Sequence, residues 1–244
     1  MNEMFTRIGK SLTLSQEIEL KIEESIRQKK LEPGQKLPSE KELCLMFGVS
    51  RTALREALRM LSGRGLLMVR KGDGIYVNNY TSLHASKPMS LYLELQFDTD
   101  TILHLVHIRQ MIEPHIAMLA AKNRSEEDLL KLERNLEQFA DRSKDAQEIA
   151  LLDVEFHTTI TMASANPLIP LIMDPLFSML PRVKTLIVSH LKEAKTDNAP
   201  NYHRQIYERI AERDAQGAYE AMKTHLEIAE RDSRLLIKSL REHQ

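Results

Sequence analysis

The sequence predicts a mainly α-helical chain in two parts, a small head holding one β-hairpin and a larger all-α body. Three observations carry this. Seven of the eight glycines lie at or before Gly74, and none occurs from Ile75 through Gln216. A stretch that long without glycine does not turn the many tight corners of a β-sandwich. Apolar residues recur at helical spacing through most of the chain. The charge also divides: residues 1–80 hold 14 Lys/Arg against 10 Asp/Glu, and residues 81–244 hold 20 against 25, within a total of only −1. A basic head on an acidic body fits a nucleic-acid module joined to a sensing or assembly module.

The bulk sequence also excludes classes. No window has the roughly 18–20 consecutive apolar residues of a membrane span, so no membrane partner is expected. The opening MNEMFTRIGK lacks the apolar core of a signal peptide. A single cysteine, Cys44, makes no internal disulfide, and the expected compartment is the reducing cytoplasm. Its neighbours Leu43, Leu45 and Met46 mark it as a small buried hydrophobe rather than a nucleophile.

In the head, Ile18, Ile22 and Ile26 recur every four residues from about Leu14 to Lys30, which predicts an amphipathic helix ended by Leu31-Glu32-Pro33-Gly34. A second helix starts after Ser39, which closes a capping box with Glu42, and stops at Gly48. Ser50 caps a third. At 100° per residue from Arg51, Arg55 lies at about 40°, Arg59 at about 80° and Thr52 at about 100°. Ala53, Leu54, Ala57, Leu58 and Leu61 fill the arc from about 200° to 340°. One face is therefore basic, especially at the N-terminal end that reaches base edges in a major groove, and the other packs inward. Arginine there suits guanine, whose O6 and N7 accept from both arms of its fork. After Gly63 and Gly65, Leu66–Val69 and Ile75–Val77 flank a basic glycine-rich tip, Arg70-Lys71-Gly72-Asp73-Gly74. That is a β-hairpin, a wing able to lie along the phosphates or enter the minor groove. Three helices and a basic hairpin in about 65 residues make a winged helix-turn-helix, bounded here as residues 12–80.

The string LEPGQKLPSEKELCLMFGVSRTALREALRMLSGRGLLMVRKGDGIYV resembles the DNA-binding domain of GntR-family bacterial transcription regulators, over roughly residues 14–79. Carried over by position, the resemblance places DNA contacts at Lys41, Arg51, Thr52, Arg55, Lys71 and Gly72. Lys41 stands where many members have arginine, which exchanges a bidentate contact for a point charge.

Residues 81–97 contain Pro88 and a short helix expected around Met89–Gln96, serving as linker. From 98 to 242 helical periodicity predicts a bundle of six or seven helices, at about 100–122, 126–142, 145–164, 168–195, 200–214 and 217–240. Ser125 with Asp128 caps the second of these, and Pro170, Pro175 and Pro181 are expected to kink or interrupt the long one. Polar residues on apolar arcs carry the chemistry. Asp153 and His157, at i and i+4, share an arc with Ile149, Phe156 and Ile160. His203 sits among Ile206, Tyr207 and Ile210, and His225 among Ala218, Ala221, Met222 and Ala229. One carboxylate and three imidazoles pointing inward without a partner would be costly. Together they suit a divalent metal, zinc first, with nickel and manganese as alternatives. His104, His107 and His115 fall on the far side of their helix from its apolar arc and read as surface or interface residues with no metal role. Arg109 also points inward, among Ile102, Leu105, Ile112 and Ile116. It either pairs with Glu113 at i+4 or anchors a carboxylate ligand beside the metal.

The segments HIRQMIEPHIAMLAA, DVEFHTTITMASANP and HRQIYERIAERDAQGAYEAMKTH resemble the FCD ligand domain of the FadR-type subfamily, over roughly residues 98–240. The resemblance implies a metal tetrad of Asp153, His157, His203 and His225, and a small hydroxy-acid or sugar-acid effector. A fatty-acyl effector is disfavoured, since the acyl-CoA-binding member lacks the tetrad. The expected protein is a homodimeric, non-enzymatic repressor of a palindromic operator on double-stranded DNA, responsive to such an acid. Two alternatives stand beside it: a metal-dependent hydrolase or lyase with an appended DNA module, and a purely structural metal.

Overall fold

The computed structural model describes residues 12–140, 145–190 and 199–242, the side chains of residues 82, 83, 85 and 199 excepted. The N-terminal decapeptide and the far ends of the helices expected at 126–142 and 168–195 lie outside the described residues. The chain divides into two compact units, Met1–His84 and Ala85–Gln244. No helix among the described residues is long and apolar enough to cross a membrane.

The first unit contains α1 (Leu14–Arg27), α2 (Glu40–Phe47), α3 (Arg51–Gly63), β1 (Leu67–Arg70) and β2 (Gly74–Val77). Local chemistry sets the starts. Thr13 with Gln16, and Ser39 with Glu42, form capping boxes, and the Ser50 side chain accepts from the Ala53 amide. The α1 stripe buries Ile18 and Ile22 against Leu54, Ala57, Leu58 and Leu61 of α3. The hairpin is antiparallel, pairing Leu67 with Val77 and Arg70 with Gly74. A feature absent from the periodicity is that the α1–α2 connection runs beside β2. Leu37 donates to the Ile75 carbonyl, Gly34 to that of Val77, and Val77 in turn to that of Gln35. The wing is thus backed by a third extended segment rather than standing as a marginal two-stranded ribbon.

After α4 (Ser82–Leu95), whose first three residues belong to the first unit, the second unit is all helical among the described residues: α5 (Thr99–Asn123), α6 (Glu126–Phe139), α7 (Ala146–Ala163), α8 (Leu168–Phe177), α9 (Leu180–His190), α10 (Ala199–Ala211) and α11 (Ala215–Glu242). The long helices α5 and α11 pack along one another, α10 packs on α11, and α7 lies against α5, α6, α8 and α9. Their buried faces form one core, from Ile102 and Ile116 through Phe156, Ile160 and Met173 to Ile206, Ile210, Met222 and Leu236.

Two expectations need correction. The linker helix is longer than Met89–Gln96, starting at Ser82 and taking Pro88 inside. The long helix at 168–195 is two helices, broken at Ser178 and Met179 rather than at any proline. Pro170 and Pro181 sit in first turns, where an amide has no intrahelical acceptor to lose. Pro175 lies inside α8, which ends two residues later.

Gly48 closes α2 in the left-handed region, φ +65°, with open space where a Cβ would sit. Gly48→Ala should therefore cost about 1 kcal/mol through backbone strain alone. Faster hydrogen exchange of α2 and α3 amides is the readout, and Gly48→Asn should be milder.

Candidate functional site

In the head, the capped start of α3 presents Arg51, Thr52 and Arg55, all exposed, and the first turn of α2 presents Lys41, also exposed. Lys71 and Gly72 form the exposed turn between β1 and β2, with Gly72 at φ +79°. A groove of about 1050 Å³ runs between α3 and the hairpin, lined by Lys36, Arg55, Arg59, Arg70 and Lys71. Several of these cations already hold partners. The Arg55 Nε donates to Glu40 Oε2 at 2.9 Å, and Lys36 Nζ to Asp73 Oδ1 at 3.0 Å. Arg70 lies over the Tyr76 ring, 4.4 Å from its centroid, while the Tyr76 hydroxyl donates to Asp73. Hydrogen bonds from Tyr76 and Lys36 hold the Asp73 carboxyl below its usual range. Sequence reading missed Glu40 and Asp73 because their partners come from other elements.

In the body, α7 turns Asp153 and His157 inward, both buried. α10 supplies His203 and α11 His225, also buried. The three imidazoles each offer a nitrogen within 4.8 Å of the others. The Nε2 atoms of His157 and His225 are 3.2 Å apart, and Asp153 Oδ1 lies 3.6 Å from His203 Nε2. Aromatic rings fix His203: it stacks on Phe156 at 4.1 Å with Phe139 edge-on at 5.1 Å. Neither of its ring nitrogens has a hydrogen-bond partner among the described residues, although both are fully buried. Such an orphaned pair is costly unless something accepts the lone pair.

The charged surroundings refine the picture. Burial lowers the His203 and His225 pKa values well below 6.5, so both rings are neutral and keep lone pairs to donate. Burial alone would raise Asp153, but the Lys184 ammonium, 3.0 Å away, with His157, His203 and Arg109, holds its carboxyl well below the usual range. Arg109 does pair with Glu113, Nε to Oε1 at 2.5 Å, and its Nη2 also lies 3.2 Å from His157 Nε2. Glu113 Oε2 lies 2.6 Å from His157 Nδ1. Against the upward push of burial, Arg109 and His157 bring Glu113 down to about 2. The neutral rings of His203 and His225, the His157 ring beside them and an ionised Asp153 make a donor set that fits a borderline divalent cation. Lys184 was not legible in the sequence. It stands on α9, and only the packing of α9 on α7 brings it to Asp153. His104 and His115 are exposed, and His107 is half-exposed beside Glu230.

Comparison with known proteins agrees across the chain. Residues 14–77 match the model of bacterial regulatory proteins of the gntR family, and residues 104–228 match the FCD domain. The chain is 30% identical over 204 residues to the HTH-type transcriptional regulator LutR of Bacillus subtilis, covering 82% of this chain and 92% of the relative. It is 28% identical over 231 residues to the HTH-type transcriptional repressor NanR of Klebsiella aerogenes, covering 93% and 87%. Among solved structures, a Streptococcus agalactiae GntR protein superposes with a TM-score of 0.66 at 29% identity, covering 89% of this chain and 99% of that one.

Neutral, buried His203 and His225 make stability depend on pH. In the unfolded chain they protonate below about 6.5, whereas the fold keeps them neutral, so stability is present above 6.5 and falls as pH drops below it. A second loss follows below 4.5, as the unfolded chain protonates Glu113 that the fold keeps ionised to about 2. Thermal melts from pH 8 to 4 should show the first step, and His203→Gln should flatten it.

Proposed function

Because this chain belongs to the GntR family of bacterial regulatory proteins and carries an FCD domain, we propose that it is a repressor released from DNA by a small carboxylate held beside a divalent metal. DNA-binding transcription regulation is the function of its family, and the relatives are regulators rather than enzymes. The hydrolase or lyase alternative has no support among them. The name of the Klebsiella aerogenes relative supports the repressor reading.

The observation that carries the effector reading is the convergence in the body. Asp153, His157, His203 and His225 would hold the metal, zinc by preference for this donor set, with nickel or manganese as alternatives. The metal would supply Lewis acidity toward a carboxylate. The chain's own contribution is cationic. Arg109 Nη2 stands 3.2 Å from the same His157 nitrogen that faces His225, which puts a guanidinium edge within reach of an acid's oxygens. Lys184 is the more accessible cation, its side chain 21% exposed, and gives an entering anion its first partner. These cations suit a carboxylate, and the resemblance to the FCD ligand domain favours a hydroxy acid or sugar acid as the effector.

In the head, residues 12–80, Arg51 and Arg55 read base edges, with Thr52 beside them. Lys41, Lys71 and the Gly72 backbone hold phosphates. The protein acts as a homodimer on a palindromic operator in the cytoplasm, each head taking one half-site. Residues 81–97 join it to the effector and metal domain, residues 98–242. Acid binding acts by shifting populations between DNA-competent and incompetent arrangements, which requires different affinity for the two.

Operator titrations by fluorescence anisotropy test both halves. Arg51→Ala and Arg55→Ala should each cost about 1–3 kcal/mol and relax specificity at one base pair. Lys41→Ala should weaken all sequences alike and lower the salt slope by about 1. Wild-type affinity in both arginine variants would remove the recognition-helix assignment. For the body, a zinc-loaded protein should show a carboxylate-dependent rise in melting temperature, lost on chelation and in Arg109→Gln. A rise unaffected by chelation would leave the metal with no part in effector binding.

A further inference from the structure

The sequence offers Glu113 as the ion-pair partner of Arg109, and that role accounts for only one of its oxygens. A carboxylate serving an arginine alone often faces the guanidinium fork with both oxygens. Here the oxygens divide. Oε1 accepts from Arg109 Nε, while Oε2 stands 2.6 Å from His157 Nδ1. The guanidinium divides too, since its Nη2 faces His157 Nε2 at 3.2 Å rather than Glu113. The three side chains are at most 5% exposed, so water does not compete.

This arrangement decides where the His157 proton sits. A guanidinium has donors and no acceptor. Its approach to Nε2 therefore requires the lone pair on that nitrogen and leaves the proton on Nδ1. The nearest acceptor for that proton is Glu113 Oε2. The N–H···O line is bent, and neither atom completes a straight hydrogen bond elsewhere, so the carboxylate acts through charge and proximity. With Nδ1 turned to Glu113, Nε2 faces His225 Nε2 at 3.2 Å.

We infer that Glu113 is the outer carboxylate of the metal centre, a positioning residue that fixes the orientation and tautomer of His157 and thereby sets metal affinity. The inference rests on reading Asp153, His157, His203 and His225 as that centre. Outer carboxylates of this kind hold a ligating imidazole in place and raise its basicity, and their loss commonly weakens metal binding by 10–100-fold. The arrangement also links the metal to the acid, because the arginine that would meet the acid is the one that anchors Glu113.

The test uses the full chain, with zinc affinity measured by competition against a chromophoric chelator and His157 followed by ¹⁵N NMR of its ring nitrogens. Glu113→Gln should lower zinc affinity about 10–100-fold and shift His157 away from the tautomer protonated on Nδ1. Because this variant leaves Arg109 buried without a counter-charge, the double variant Arg109→Met/Glu113→Gln is measured alongside. Removing both charges should restore melting temperature without restoring zinc affinity or the tautomer. A double variant that recovers wild-type zinc affinity makes Glu113 merely the arginine's counter-ion and overturns the inference. So does an unchanged affinity in Glu113→Gln when the wild type binds zinc. A wild type that binds no zinc overturns the metal reading, and the inference with it.

Discussion

The body is organised around the cost of hiding imidazoles from water. Three histidines and two carboxylates occupy positions on α5, α7, α10 and α11 that a plain helical core would give to leucine. Each must be kept in one charge state by its neighbours. The rings of His203 and His225 are neutral because burial penalises their charged form more than Asp153 favours it, while Lys184 and Arg109 keep Asp153 and Glu113 negative. An apolar layer of Phe139, Phe156 and Phe177 then holds the rings at fixed angles. The packing of four helices is thus conditional on a small electrostatic arrangement at their centre.

What the sequence made legible follows the range of the interaction responsible. Helix caps are local, and Ser39 with Glu42 or Ser125 with Asp128 could be read three residues apart. Amphipathic arcs are nearly as local, so Asp153, His157, His203 and His225 declared themselves as polar residues on buried faces. Lys184 and the second contact of Glu113, to His157, did not, because each depends on how α9 or α5 is rotated against α7. Nothing in one helix's periodicity carries that rotation. Proline also misled: its cost depends on whether an acceptor is waiting for the missing amide, and Pro170 and Pro181 stand where none is. The break at Ser178–Met179 has no comparable signal in residue type.

The head shows the same division. Ser50 and the apolar arc of α3 place the basic face toward solvent, and this was readable. The backing of the wing by Gly34–Leu37 was not, because it is made by backbone hydrogen bonds from a connection that periodicity records only as a helix terminator. That support ties β2 to the α1–α2 connection, with the Lys36–Asp73 pair linking the same connection to the hairpin tip.

One contact in the groove between α3 and the hairpin bears on how such a protein engages its site. Arg55 is already engaged by Glu40 at 2.9 Å, and an exposed pair of this kind is held by only about 0–1 kcal/mol. Glu40 takes only Nε, so both terminal nitrogens of the guanidinium remain able to donate. Where Arg55 is the base reader proposed above, a guanine edge or a phosphate can take over from the carboxylate at little cost. Until then the carboxylate keeps a long, flexible side chain lying along the groove, so less of its rotamer freedom remains to be lost on binding.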